Sequence, residues 1–155
     1  MTPYSALRHF DARIIQFIRA ISSPLGRASL FVVFFWFGIL KIIYVSPANT
    51  LVEALLVQSL PFIPFDTFIV FLGLYEMLIG ISFLIPGLER LAIALLIPHM
   101  IATFLPLILL THITWNAFFV PTLEGQYIVK NLVIFSLALG IAAHLHPLTF
   151  NKRST

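Results

Sequence analysis

Four long apolar runs dominate the chain. They extend from about Ala28 to Tyr44, Phe65 to Ile85, Leu91 to Leu110 and Tyr127 to Leu145. Each is close to the ~20 residues that an α-helix needs to cross the hydrocarbon core of a bilayer. The pattern therefore predicts an all-α membrane protein, a four-helix transmembrane bundle.

The segment before the first run has a different pattern, with apolar side chains three and four residues apart between Ser5 and Ser22. The apolar positions are Leu7, Phe10, Ile14, Phe17, Ile18 and Ile21, and Arg8, Asp11, Arg13, Gln16 and Arg19 lie largely between them. This spacing predicts an amphipathic helix that lies in the membrane interface with its basic face toward anionic lipid. A helix that docks onto a partner protein is the alternative. The residues from Ser23 to Gly26 include Pro24 and predict a turn into the first span.

A short outer helix is predicted between the first two spans. Ser46 is a candidate N-cap and Pro47 suits the first helical turn. The apolar residues from Leu51 to Leu60 then read as a helix, which the segment from Pro61 to Phe65 ends. We therefore expect an interfacial segment over 1–26, a four-span domain over 27–146 and a tail over 147–155.

Composition and charge agree with this architecture. Of the 155 residues, 60% are hydrophobic and only 10% are charged, which excludes a soluble globular domain, a disordered chain and a nucleic-acid-binding protein. The basic residues outside the spans lie in alternate connecting segments. Arg8, Arg13, Arg19 and Arg27 precede the first span, Arg90 lies between the second and third, and Lys152 and Arg153 follow the fourth. Because basic loops stay on the cytoplasmic side, both termini are predicted to be cytoplasmic.

Ionisable residues within the spans are the candidate site, since each is costly there and such groups usually face the protein interior. Each predicted span contributes one: Lys41, Glu76, His99 and Lys130. A rise of about 1.5 Å per residue places Glu76 and His99 near mid-membrane and both lysines in the outer half. We expect one polar cluster inside the bundle, with Glu124 at its mouth.

Two interpretations of this cluster stay open. A buried carboxylate beside an imidazole can exchange protons or bind a ligand. Alternatively, a lysine–carboxylate pair fixes the register of the helices and does nothing more. Lys130 is also shallow enough in its predicted span to reach the outer headgroups. Gly73 and Gly80 share a helical face with Glu76, and such small residues let a neighbouring helix approach closely.

Known catalytic chemistry finds little support in the sequence. The chain has no cysteine, so thiol nucleophiles, disulfides and Cys-ligated metals are excluded. It contains no phosphate-binding loop, metalloprotease helix or nucleophile elbow, and no metal site is predicted. These features favour a non-catalytic protein over an enzyme and leave the enzyme question open.

Several local motifs together indicate a family. They are Phe35-Trp36-Phe37-Gly38-Ile39-Leu40-Lys41, Ser46-Pro47, Gly73-Leu74-Tyr75-Glu76, His99, and Thr122-Leu123-Glu124-Gly125-Gln126-Tyr127 leading to Lys130-Asn131. This set resembles the DoxX-like superfamily of small four-span membrane proteins. It looks closest to a bacterial inner-membrane branch that includes a reactive-chlorine-resistance membrane protein. The resemblance covers about Arg27 to His146 and implies a link to oxidative or chlorine stress.

Three functions remain candidates. The first is a non-catalytic stress-response component that binds a small lipophilic molecule or a membrane partner. The second is a quinone-linked redox subunit, in which His99 donates a hydrogen bond to the quinone, Glu76 passes protons and Trp36 lines the pocket; the quinone or a partner then carries the electrons. The third is a small proton-coupled transporter or channel, for which four spans require a homo-oligomer.

Overall fold

The computed structural model describes residues 3–143 and 145, with side chains from residue 7 onward; the predicted tail over 147–155 lies outside the described residues. The elements, in order, are α1 (Pro3–Ile42), α2 (Asn49–Ser59), α3 (Phe65–Leu84), α4 (Glu89–Phe104), α5 (Pro106–Leu109), α6 (Thr111–Thr114), β1 (Trp115–Ala117), β2 (Val120–Pro121) and α7 (Leu123–Ala142). Four helices are long and apolar enough to cross a membrane: Leu7–Ile42, Phe65–Leu84, Glu89–Leu109 and Leu123–Ala142. The chain is a multi-pass membrane protein with an all-α four-helix bundle, as the hydrophobic pattern predicts.

The expected turn between Ser23 and Gly26 is wrong, because α1 runs through these residues as one helix of 40 residues with Pro24 inside it. A proline removes one backbone hydrogen bond and bends a helix, but it need not end one that favourable sequence continues on both sides. Residues 7–25 of α1 are exposed, and burial of the helix begins at Gly26. The amphipathic segment and the first span are therefore two halves of one helix.

The tightest packing in the bundle joins α1 to α3 through glycine. A Cβ added to Gly38 would lie 2.5 Å from the carbonyl oxygen of Gly73, and one added to Gly73 would lie 2.7 Å from that of Gly38. Only residues without a side chain let the two backbones approach this closely. Below the crossing, Gly80 faces the α1 backbone near Phe31 and Phe35. The predicted close approach of another helix beside Glu76 is confirmed.

The hydrophobic core lies between this crossing and the end of the bundle that holds Arg27 and Glu89. We call this the inner end and the opposite end the outer end, as labels for the two ends of the bundle and not for the sides of a membrane. The core joins all four spanning helices: Leu30 and Phe34 from α1, Ile79 and Phe83 from α3, Ala92, Leu96 and Met100 from α4, and Ala138 and Ile141 from α7. These side chains are buried, whereas large apolar residues on the outer faces of the same helices remain exposed. An apolar exterior of this kind suits lipid as the solvent.

The connection from α1 to α2 differs from the prediction that Ser46 caps the second helix. Tyr44 adopts a left-handed conformation at φ 61°, and the amides of Tyr44 and Val45 donate to the carbonyls of Lys41 and Leu40. This Schellman arrangement satisfies the last carbonyls of the helix. The Ser46 hydroxyl then accepts from the amide of Ala48 within a turn, so it does not cap α2, which begins at Asn49 without a side-chain cap.

An ordered outer cap that the apolar pattern does not predict separates α4 from α7. The third predicted span is interrupted at Leu105, after which α5, α6 and a two-stranded antiparallel hairpin follow. The Thr122 hydroxyl accepts from the amide of Gly125 and donates to the carbonyl of Ile113. Because Thr122 caps α7, this helix begins at Leu123, four residues before the apolar run at Tyr127.

Candidate intramembrane polar site

A buried ion pair joins α1 to α3. The Nζ atom of Lys41 donates to Oε2 of Glu76 over 2.7 Å, and the two residues are only 5% and 6% exposed. Glu76 lies on the same buried face of α3 as Gly73 and Gly80, so the glycine crossing brings α1 within reach of its carboxylate. Lys41 stands in the last turn of α1, where the negative end of the helix dipole favours a cation.

His99 of α4 completes a triad with this pair. Its Nε2 atom lies 3.5 Å from Oε1 of Glu76, the carboxylate oxygen that Lys41 does not use. That distance is at the outer limit of a hydrogen bond, so the imidazole is held loosely by its neighbour. The side chain of His99 is 9% exposed. We call Lys41, Glu76 and His99 the intramembrane triad.

Aromatic side chains surround the imidazole. Phe34 of α1 meets the His99 ring edge-on with 5.6 Å between ring centroids, and the Tyr75 ring lies 6.3 Å away. The Tyr75 hydroxyl donates to the carbonyl of Leu95 over 2.7 Å, which ties α3 to α4 beside the triad. Sequence reasoning used Tyr75 only as part of a motif, because its partner is a backbone carbonyl of another helix.

Chemically, the triad holds one ion pair and one imidazole beside it. Lys41 and Glu76 neutralise one another, and the carboxylate keeps a second oxygen beside the imidazole. An imidazole in this position can donate to or accept from a polar group of a ligand. The triad therefore combines a fixed charge pair with one hydrogen-bonding group among apolar rings.

The structure does not bring the other predicted site residues into this triad. Lys130 is exposed on α7, with Nζ 5.1 Å from the centre of the Tyr127 ring, so the expected four-residue cluster is wrong for this position. The reason is rotation: α7 turns Ile128 and Gly125 inward and Lys130 outward. Glu124 is exposed in the first turn of α7, and Asn131 is half-buried.

Trp36 also lies away from the triad. Its side chain is 60% exposed on α1. It lines a shallow, open groove of about 350 Å³ together with Phe31, Val32, Phe35 and Ile39. A second open groove of about 420 Å³ lies at the hairpin, between Trp115, Phe118, Phe119 and their neighbours. Neither groove is lined by a residue of the triad.

A second ion pair, between Arg27 and Glu89, was not predicted from the sequence, where Arg27 indicated only the orientation of the chain. At the inner end of the bundle, Arg27 of α1 bonds Oε1 of Glu89 at the start of α4 over 2.5 Å. The guanidinium also donates to the carbonyl of Phe83, near the end of α3. Arg27 thus ties three helices together where the chain leaves the bundle. The sequence signal that could have predicted this pair is that Arg27 precedes the first span and Glu89 precedes the third, with opposite charges.

In the part of the chain that the structure describes, no group of three or more His, Cys, Asp or Glu side chains is arranged to hold a metal ion. Comparisons with protein-family models, curated proteins and solved structures found no match to this chain. The resemblance to the DoxX-like superfamily therefore rests on the motifs of the sequence alone.

Proposed function

We propose that this protein is a non-catalytic component of resistance to oxidative or reactive-chlorine stress that binds a small lipophilic molecule or a membrane partner at the intramembrane triad. The single observation that carries the binding proposal is the loosely held imidazole of His99 beside a complete Lys41–Glu76 ion pair. A buried charge pair with a spare hydrogen-bonding group is costly inside a membrane, and such groups commonly mark binding sites.

The cellular part of the proposal depends on the motif resemblance. Under it, the chain belongs to the DoxX-like superfamily and lies in a bacterial inner membrane with both termini cytoplasmic. The basic residues around the inner ends of the spans, among them Arg27 and Arg90, support this orientation.

A complementation experiment tests the stress role. A bacterial strain without the gene is challenged with hypochlorous acid and with hydrogen peroxide, and it carries the wild-type gene, Glu76→Gln or Glu124→Gln. We expect the wild type and Glu124→Gln to restore survival and Glu76→Gln to fail at equal membrane abundance. Equal survival of the deletion strain and its parent under both oxidants would contradict the proposal.

A quinone-linked redox subunit is the second candidate, and the aromatic surroundings of His99 favour it. Phe34 and Tyr75 provide faces and edges against which a planar ring can pack, while the imidazole provides a donor for a carbonyl oxygen. Its test is binding of a short-chain ubiquinone to the purified protein. His99→Ala should weaken binding at least tenfold, and unchanged binding in this variant would remove the quinone interpretation.

A further inference from the structure

The outward face of α7 carries a cation with no counter-charge in the described part of the chain. Lys130 is exposed, and among the described residues it forms no ion pair; its Nζ atom rests over the ring of Tyr127, which is itself 61% exposed. The triad offers it nothing, because Glu76 is already occupied by Lys41. Lys130 is therefore a lipid-facing lysine unless something outside this chain covers it.

The depth of Lys130 makes this costly. Because α7 begins at Leu123, Lys130 lies two turns below the outer end of the helix, about 10 Å along its axis. From the inner side, Leu137 packs near Gly26, beside the Arg27–Glu89 pair, and Lys130 lies about 10 Å above it. The residue thus lies about 4 Å from the midpoint of α7, on the side of its first turn. Charged groups at that depth normally face a protein surface.

The rest of this face suits contact with another helix. Gln126, Lys130, Val133, Ser136 and Gly140 follow one another at spacings of three and four, and all are exposed. Among the described residues, nothing lies within 4 Å of a Cβ added to Gly140. Small residues four apart allow close helix approach in membranes, and amide side chains hydrogen-bond across such contacts.

We propose that this face of α7 binds a transmembrane helix of a partner protein that carries a carboxylate at the depth of Lys130. Charge complementarity selects this occupant. A second copy related by a two-fold axis through the centre of this face would place Lys130 close to its own equivalent, and like charges in apolar surroundings repel. A lipid phosphate at the outer end of α7 would be about 10 Å along the helix axis from Lys130, beyond the extension of its four-carbon stem. The proposal is independent of the triad and of the stress role.

A synthetic helix tests this directly. The probe is a leucine-alanine transmembrane peptide with one glutamate at its centre, and its control carries glutamine there. The chain has no cysteine, so one cysteine added after Thr155 gives a unique label for energy transfer to the peptide in phosphatidylcholine vesicles. We expect the glutamate peptide to associate roughly three- to tenfold more tightly than the glutamine peptide.

Three variants separate the causes. Lys130→Met should abolish the preference, and Lys130→Arg should retain it. Gly140→Leu should weaken association of both peptides without loss of fold, because its surroundings are open. Equal association of the two peptides, or a preference that survives in Lys130→Met, would overturn the proposal. So would a preference that disappears when anionic phosphatidylglycerol is added, which would assign Lys130 to a headgroup.

Discussion

Removal of one partner of the Lys41–Glu76 pair should destabilise the bundle far more than removal of both. At 2.7 Å, two unit charges attract by about 6 kcal/mol at an effective dielectric constant of ~20, before the cost of desolvation is subtracted. Both side chains are less than a tenth exposed, so a lone charge left behind cannot recover its hydration. Breaking a buried pair in this way typically costs about 3–5 kcal/mol, whereas an apolar replacement of both partners is often close to neutral.

The matching experiment is a double-mutant cycle with Lys41→Met, Glu76→Met and the double variant. Unfolding by sodium dodecyl sulfate in mixed micelles is followed by the fluorescence of Trp36 and Trp115. We expect each single variant to lose about 3 kcal/mol of unfolding free energy and the double variant to lose less than either. Glu124→Gln, on an exposed side chain, should change stability by under about 0.5 kcal/mol. Additive losses in the double variant would refute the pair as a coupled unit.

Three further predictions concern packing and helix ends. Gly38→Ala should lower the free energy of unfolding by at least about 2 kcal/mol because its Cβ has no space, while Gly140→Ala should stabilise α7 by up to about 1 kcal/mol. The same unfolding assay compares the two variants. Equal changes in their free energies of unfolding would contradict the close contact between Gly38 and Gly73. Thr122→Ala should cost about 1 kcal/mol and increase hydrogen exchange in the first turn of α7, with Thr122→Ser as the conservative control. Arg27→Met should lower the free energy of unfolding by about 2 kcal/mol because it leaves the buried Glu89 carboxylate without a partner, and Arg27→Lys should recover part of this loss. Equal stabilities of Arg27→Met and the wild type would contradict a stabilising Arg27–Glu89 ion pair.

The spans were predictable because transmembrane length and hydropathy are properties of the local sequence. The interior face of α3 was also predictable, since Gly73, Glu76 and Gly80 recur at helical spacing and all three are buried. The join between the amphipathic segment and the first span was not, because a proline signals a turn in isolation although a long helix can accommodate it. Pro24 shows this within α1.

The side chains that meet in the site were only partly predictable. Lys41, Glu76 and His99 are expensive in lipid, so their burial together follows from cost alone. Lys130 carries the same cost in lipid but faces outward. The rotation of α7 could not be predicted, because this helix is apolar around most of its circumference. The Thr122 cap also starts α7 four residues before the apolar run begins, so Lys130 lies two turns from the start of the helix.

The outer cap and the inner ion pair depend on contacts that no local pattern encodes. The hairpin strands are three and two residues long, too short for an alternating pattern. The Arg27–Glu89 contact joins residues that are 62 positions apart. No local pattern relates residues that far apart in the sequence.

The most direct test of the triad as a binding site is mass spectrometry of the purified protein in mild detergent, both native and after organic extraction. The comparison is between the wild type and Glu76→Gln with His99→Ala, with Glu124→Gln as the control. A lipophilic molecule at one copy per chain in the wild type and the control, and absent from a folded double variant, is the predicted result. A wild type that carries no such molecule, with a double variant that is only less stable, would contradict small-molecule binding and reduce the triad to a structural ion pair.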